Sequence, residues 1–174
     1  MPQTPASGLS PAPLPTPGSP SPSPAAPLGA GAAGTTDAVE RHVFVYGTLR
    51  RGGANDITRL SPAPRWVGHA QIEGAMHHLG AYPGLRLGAG GPVRGEVYAI
   101  GPALEQRLDE IEMILPEPSG EYLKREVVLE VVTAPAGEGG PGLFLSCIVY
   151  EISPDHADGR PIIASGDWIA DKDA

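Results

Sequence analysis

The 174-residue chain carries 12 Lys and Arg against 20 Asp and Glu, a net charge of −8. This acidic balance argues against nucleic acid or an anionic membrane surface as partner, and no stretch approaches the ~20 apolar residues of a membrane span. A single cysteine, Cys147, excludes an intrachain disulfide and a cysteine-based metal cluster. The five histidines show no spacing with carboxylates that suggests a metal site, so the expectation is a cytoplasmic domain with neither metal nor cofactor.

Residues 1–38 read as a tail. Up to Thr36 no residue is charged, and ten of the chain's 21 prolines lie there among Ser, Ala and Gly. Such a composition lacks apolar periodicity and cannot bury enough surface to offset its ordering entropy. The basic n-region and apolar core of about 7–15 residues that mark a secretory leader are missing. A disordered, partly polyproline-like extension is expected. Residues 39–174 are then the folded domain, long enough for one compact core.

Within it, HVFVYG (42–47) reads as a buried strand. Beyond it, Asn55 is expected to cap a helix through NDITRL, with a contact to a bound substrate as the alternative. RWVGHAQIEGAMHHL reads as two short strands broken at Gly68 and Gly74, and YPG (82–84) as a turn. VRGEVYAI (93–100) is a further strand with Gly95 as a candidate bulge. GPALEQRLDEIEMI is the one convincing helix, with Pro102 in its first turn and a stop at PEPSGE. YLKREVVLEVVTA and GLFLSCIVYEI read as a hairpin joined by a Gly-rich connection, with Cys147 a buried inert thiol, and the chain closes on a short capped segment. Six or seven strands with few helices give an α+β domain built on a small mixed, barrel-like sheet.

The helix has a directional asymmetry. At about 100° per residue from Leu104, Leu108, Ile111 and Leu115 fall within about 40° of one line, and Glu112 lies at about 80°, on the flank of that stripe. Asp109 and Glu110 lie farther round, toward solvent. Glu112 is therefore the carboxylate placed for half-burial, where desolvation raises its pKa toward that of a general base. The plainer alternative is a boundary glutamate that pairs with Lys124 or Arg125.

VFVYGTLRRGGAN, followed in order by YPGL, VRGEVYAI, LEQRLDEIE, EYLKREVV and SGDW, resembles the gamma-glutamylcyclotransferase-like family. That group includes gamma-glutamylamine cyclotransferase and the plant avirulence-induced proteins. The resemblance covers residues ~42–170, and it implies a small β-barrel-like sheet with helices packed around it. It also implies an activity, the closure of a γ-glutamyl group to 5-oxoproline with release of an amine or amino acid. Carried over residue by residue, it puts the general acid/base on the glutamate after the Leu-Asp pair of the helix, here Glu112. Substrate-binding backbone falls in the loop Tyr46, Gly47, Thr48 and Leu49. Tyr122 would hold or polarise the substrate, with a packed strand aromatic as the alternative; Tyr82 would line the cavity or only fix the turn. The partner that the resemblance implies is a small γ-glutamyl compound, with neither nucleic acid nor membrane, metal or cofactor expected.

Arg50 and Arg51 invite a carboxylate clamp; with the loop amides sufficient, solvated surface arginines are expected. Asp167 and Trp168 are expected to pin the C-terminus to the sheet. Two departures from the family pattern stand out. MILPEPSGE, between Glu112 and Tyr122, is longer and richer in proline than the family's short EG…YxR connection, and Asp56 stands where histidines often follow GGAN. A non-catalytic binding module of the same fold, or an amidase using the same carboxylate on water, are the competing functions.

Overall fold

The computed structural model describes residues 40–133 and 141–172. The expected tail and the Gly-rich connection between the last two strands lie outside the described residues. In chain order the elements are β1 (Arg41–Val45), a single 3₁₀ turn (Ile57–Arg59), β2 (Arg65–His78), β3 (Pro83–Leu87), β4 (Gly91–Ile100), α1 (Pro102–Ile111), β5 (Tyr122–Val132), β6 (Gly142–Ile152), α2 (Pro154–Ala157) and α3 (Trp168–Lys172).

The sheet order is β3-β2-β4-β1-β6-β5, and β5 returns to pair with β2. Five strands thus close a barrel and β3 is attached outside the closure. Among the described residues only β1 and β6 are parallel, with His42 opposite Cys147, and the other strand pairings are antiparallel. The expected mixed, barrel-like α+β fold is what forms.

Strand β2 corrects the expectation of two short strands. It is continuous over 14 residues, long enough, at about 3.3 Å per residue, to serve two partners on one edge. His69 and Ala70 meet β5, while Gly74–His78 meet β3. Gly68 does not break the strand: a Cβ there would lie 2.5 Å from the Val132 carbonyl oxygen, so it is glycine because β5 passes close by. The bulge falls between Trp66 and Gly68 rather than at Gly95, which pairs in regular register with Ala70. The YPG segment is likewise not the turn itself, since Pro83 and Gly84 already begin β3.

β1 is buried on both faces, which is why its sequence reads as an apolar run rather than an alternation. Phe44 and Tyr46 point into the barrel interior with Ile72, Val97 and Val149. Val43 and Val45 point the other way, to a second core under α1 with Tyr98, Leu104, Leu108 and Ile148. Each such side chain contributes about 1.5–3 kcal/mol on burial. Cys147 lies in the barrel interior, where burial pushes its thiol up to about 11, so it stays protonated and inert.

Two features of α1 differ from the sequence reading. The helix ends at Ile111, with Glu112 as its C-cap. The apolar spacing out to Leu115 runs past that end, and Leu115 is exposed. Asp109 is buried rather than solvated: Tyr150 Oη donates to its Oδ1 at 2.6 Å and Lys124 Nζ to its Oδ2 at 2.8 Å. The β5–β6 hairpin covers this flank of the helix, a packing that helical angles cannot register.

At the C-terminus, Trp168 is buried in the barrel core, and Asp167 Oδ1 accepts from the N–H groups of Ile169 and Ala170. This pinning is as expected. Among the described residues no helix is long and apolar enough to cross a membrane, and no group of three His, Cys, Asp or Glu could bind a metal ion.

Candidate active site

The site grows from the point where β1 loses its partners. After Val45 the chain leaves the sheet through Tyr46 and Gly47 and folds into a compact loop. Arg50 N–H donates to the Gly47 carbonyl at 3.1 Å, Asn55 N–H to Thr48 at 3.0 Å, and Ile57 N–H to Leu49 at 3.0 Å. The carbonyls of Gly47, Thr48 and Leu49 are thereby satisfied. Among the described residues, the N–H groups of Gly47, Thr48 and Leu49 have no acceptor. Gly47 and Leu49 are buried, and Thr48 half-buried. Buried backbone donors are almost always paired, so three unpaired in succession form a nest suited to an anion.

Three charged side chains hold this loop. Glu96 on β4 is buried; its Oε2 accepts from Arg51 N–H at 3.1 Å and from Tyr98 Oη at 2.7 Å. Arg50 Nε lies 3.4 Å from Glu96 Oε1, and Arg50 Nη1 lies 2.7 Å from Asp167 Oδ1. The expected surface arginine is instead an interior tie, with its side chain only 12% exposed. The cap of the short turn is also reassigned: Asp56, not Asn55, accepts from Thr58 N–H at 2.9 Å. Asn55 Nδ2 donates to Thr48 Oγ1 at 3.2 Å and so braces the loop.

The loop floors a cavity of about 330 Å³. Tyr46, Gly47, Thr48, Leu49, Tyr82, Glu112 and Tyr122, all singled out from the sequence, line it together. Gly47 is explained by its neighbour, since a Cβ there would lie 2.6 Å from Pro83 Cγ. Its lack of a side chain admits the Pro83 ring of β3.

Glu112 enters from the end of α1. The helix stops in a Schellman turn, with Ile114 N–H donating to the Asp109 carbonyl at 2.7 Å and Met113 N–H to Glu110 at 3.2 Å. Met113 has φ 56°, a left-handed conformation that normally falls to glycine. Glu112 is half-buried, and its carboxylate has neither hydrogen bond nor ion pair among the described residues. The alternative pairings are taken: Lys124 binds Glu105 and Asp109, and Arg125 binds Glu151. Burial first, then the nearby charge of Glu121, pushes the Glu112 carboxyl up to about 7.

The tyrosines have committed hydroxyls. Tyr46 Oη donates to the Tyr150 carbonyl at 2.7 Å and accepts from Leu85 N–H at 3.2 Å. Tyr122 Oη donates to the Pro83 carbonyl at 3.1 Å. Burial pushes both phenols well above their usual range. Tyr122 therefore presents its ring rather than a free donor. Tyr82 Oη donates to Glu121 Oε1 at 2.7 Å.

Glu121 and Tyr150, which also line the cavity, escaped the sequence reading. Glu121 sits one residue before β5 with no periodicity to mark it. Tyr150 lies in a strand that reads as plain core.

A family model described as "Gamma-glutamyl cyclotransferase, AIG2-like" matches residues 43–170. The chain belongs to this family. The match contains every residue that lines the cavity, from Phe44 to Tyr150. A protein of Arabidopsis thaliana and one of Vibrio cholerae, both named "Putative gamma-glutamylcyclotransferase", are 33% identical over 105 residues and 38% identical over 78 residues. These matches cover 54% and 40% of this chain and 54% and 60% of the relatives, so the alignments span little more than half of the relatives' length. The crystal structure of a mouse AIG2-like protein shares the gamma-glutamyl cyclotransferase fold with a TM-score of 0.56 at 23% identity, covering 72% of this chain and 86% of that one. A Pyrococcus horikoshii protein matches with a TM-score of 0.51 at 24% identity, over 76% and 92% of the two chains.

Proposed function

We propose that this domain is a gamma-glutamylcyclotransferase, releasing 5-oxoproline from a γ-glutamyl amine or peptide by intramolecular aminolysis. Glu112 is its general acid/base and the Tyr46–Leu49 loop binds the substrate. One observation carries this reading: a single cavity holds an unpartnered, half-buried carboxylate and three consecutive backbone N–H groups that lack an acceptor among the described residues. A γ-glutamyl group is complementary to both, with an α-carboxylate for the N–H groups and an α-ammonium for the carboxylate.

The chemistry needs little more. The nucleophile is tethered to its electrophile, so the protein's main task is to freeze a reactive rotamer. Glu112 takes a proton from the α-ammonium. The freed amine attacks the side-chain amide carbon and the N–Cδ bond forms, with loop N–H groups available to the developing oxyanion. Glu112 returns its proton to the departing nitrogen as the old C–N bond breaks. It then accepts the surplus proton of the ring nitrogen, which the released amine finally takes up. No water is consumed, and Glu112 ends ionised as it began. A carboxyl near 7 suits both directions of transfer at neutral pH.

The test is product analysis on γ-glutamyl substrates. 5-Oxoproline is expected, and Glu112→Gln should slow its release by roughly 10²–10⁴-fold without lowering the melting temperature. Free glutamate instead would make the protein an amidase. A γ-glutamyl ligand that raises the melting temperature without being consumed would make it a binding module.

A further inference from the structure

Among the described residues nothing bonds to the Glu112 carboxylate, so its place in the cavity is set by the backbone beneath it. That backbone is the end of α1. Glu112 N–H donates to the Leu108 carbonyl at 2.9 Å and Met113 N–H to Glu110 at 3.2 Å. The next two N–H groups, of Ile114 and Leu115, turn back to one acceptor, the Asp109 carbonyl, at 2.7 and 3.2 Å. The turn that carries Glu112 therefore closes on Asp109.

The Asp109 side chain fastens the same residue to the sheet. It is buried, and its two oxygens are taken by two strands: Oδ1 accepts from Tyr150 Oη of β6 at 2.6 Å and Oδ2 from Lys124 Nζ of β5 at 2.8 Å. Tyr150 is also a wall of the cavity, and its carbonyl accepts from Tyr46 Oη at 2.7 Å. One chain of bonds thus runs from the turn under Glu112, through Asp109 and Tyr150, to the residue that opens the Tyr46–Leu49 loop. Glu110, the next residue of the helix, pairs only with Arg107 on the exposed face and ties α1 to no other element.

As a means of stability the buried carboxylate is a poor choice, since well-packed apolar residues hold a helix to a hairpin as firmly. What two directional bonds add is a fixed rotation and height for the last turn. We propose that Asp109, held by Tyr150 and Lys124, is a positioning residue for Glu112, setting how far the end of α1 carries that carboxylate into the cavity. This deepens the cyclotransferase reading and rests on it.

The test is kinetic, at a temperature well below every melting transition. A misplacement of about 1 Å costs up to about 10²-fold in rate. Tyr150→Phe, which removes one hydroxyl and keeps the ring, should lower kcat for 5-oxoproline release by about tenfold, and Asp109→Ala by up to about 10²-fold. KM should change less, because the loop still holds the α-carboxylate. The double variant should be no slower than Asp109→Ala alone, as for residues that act as a unit. Asp109→Asn, which keeps an acceptor for Tyr150, should recover part of the loss. Arg107→Ala should leave kcat unchanged. The groups that share the cavity with Glu112 are Glu121 and the phenols of Tyr46, Tyr82, Tyr122 and Tyr150. A loosened Glu112 gains water among them, so the rising limb of kcat/KM should also move to lower pH.

If Asp109→Ala does not fold, Tyr150→Phe and Asp109→Asn carry the test. Lower melting temperatures with kcat and the limb unmoved would make Asp109 a purely structural residue and overturn the proposal. An equal loss of kcat in Arg107→Ala would overturn it too. If the wild type yields no 5-oxoproline, the cyclotransferase reading falls, and the placement of Glu112 is read instead from the carboxyl ¹³C titration of that residue. A midpoint lowered in Tyr150→Phe supports the proposal; one that stays at the wild-type value refutes it.

Discussion

Arg50 Nη1 lies 2.7 Å from Asp167 Oδ1, joining the loop that floors the cavity to the residue that caps the last helix, 117 positions away in the chain. Burial alone would raise the Asp167 carboxyl, but Arg50 beside it, together with the N–H groups of Ala170 and Ile169, offsets this and holds it below its usual range. Arg50→Met strands Asp167 and part of Glu96 in a poorly solvated setting, so a loss of about 2–4 kcal/mol is expected. A double-mutant cycle with Asp167→Ala should give a coupling of about 1 kcal/mol or more by denaturant melts. A coupling near zero would mean that the pair does not fasten the loop. The folded-state pKa of Asp167 is depressed, so its contribution is present above its unfolded pKa and is lost as pH falls through the lower folded value.

Glu112→Gln should lower kcat for 5-oxoproline release by roughly 10²–10⁴, the range for loss of a general acid/base. The same change should stabilise the fold at pH 8. In the folded state the carboxyl titrates near 7, whereas unfolded it does so near 4.5. The native state therefore binds more protons between these values, and stability falls as pH rises through that window. Glutamine escapes this penalty, by on the order of 1 kcal/mol above pH 7 after allowance for partial exposure. Thermal melts of both proteins at pH 5 and pH 8 check it. A difference that does not grow with pH would show that Glu112 is not desolvated.

The pH–rate profile follows from the same carboxyl. With the ionised form as base, kcat/KM should rise through about pH 7. Burial and then Glu121's charge raise Glu112, so Glu121→Gln should move the rising limb to lower pH without removing it. An unmoved limb would mean that the two carboxylates are not coupled.

How far the sequence reaches can be judged from these residues. Glu112 was singled out because a helical stripe and an ordered set of motifs met on it, and the loop Tyr46–Leu49 because the family resemblance puts substrate-binding backbone there; what the structure adds is that both line one cavity. Asp109 was misplaced because its environment is made by Lys124 and Tyr150, brought in by a hairpin that helical geometry does not see. Arg50 was misread for the same reason, its partners being 46 and 117 positions away. β2 was split because a glycine that lets a neighbouring strand pass reads the same as one that breaks a strand. Local chemistry wrote the site's first line, and the barrel's closure supplied its supports.

Met113 carries strain beside Glu112. At φ 56° it occupies the left-handed position of the Schellman turn. A non-glycine residue there costs about 1 kcal/mol, and Met113→Gly should recover that amount in a melt. Because the side chain also lines the open end of the cavity, the variant should change KM for bulky leaving amines more than kcat. No gain in stability would mean that the turn is not strained by its side chain.

Gly47→Ala tests whether the loop and β3 are fitted to one another. The added Cβ would lie 2.6 Å from Pro83 Cγ and 2.9 Å from Pro83 Cδ, on a ring that has no rotamer to escape into. Either β3 or the loop must move. Pro83 accepts the Tyr122 hydroxyl through its carbonyl, so a shift of β3 disturbs that wall of the cavity; a shift of the loop displaces the unpaired N–H groups. Both routes weaken substrate binding, and the overlap should cost about 1–3 kcal/mol of stability. Pro83→Ala in the same chain removes the obstructing ring carbons and should recover a large part of both losses. Melts and KM on the single and double variants measure this, and a double variant no better than Gly47→Ala alone would show that the glycine serves something other than its contact with Pro83.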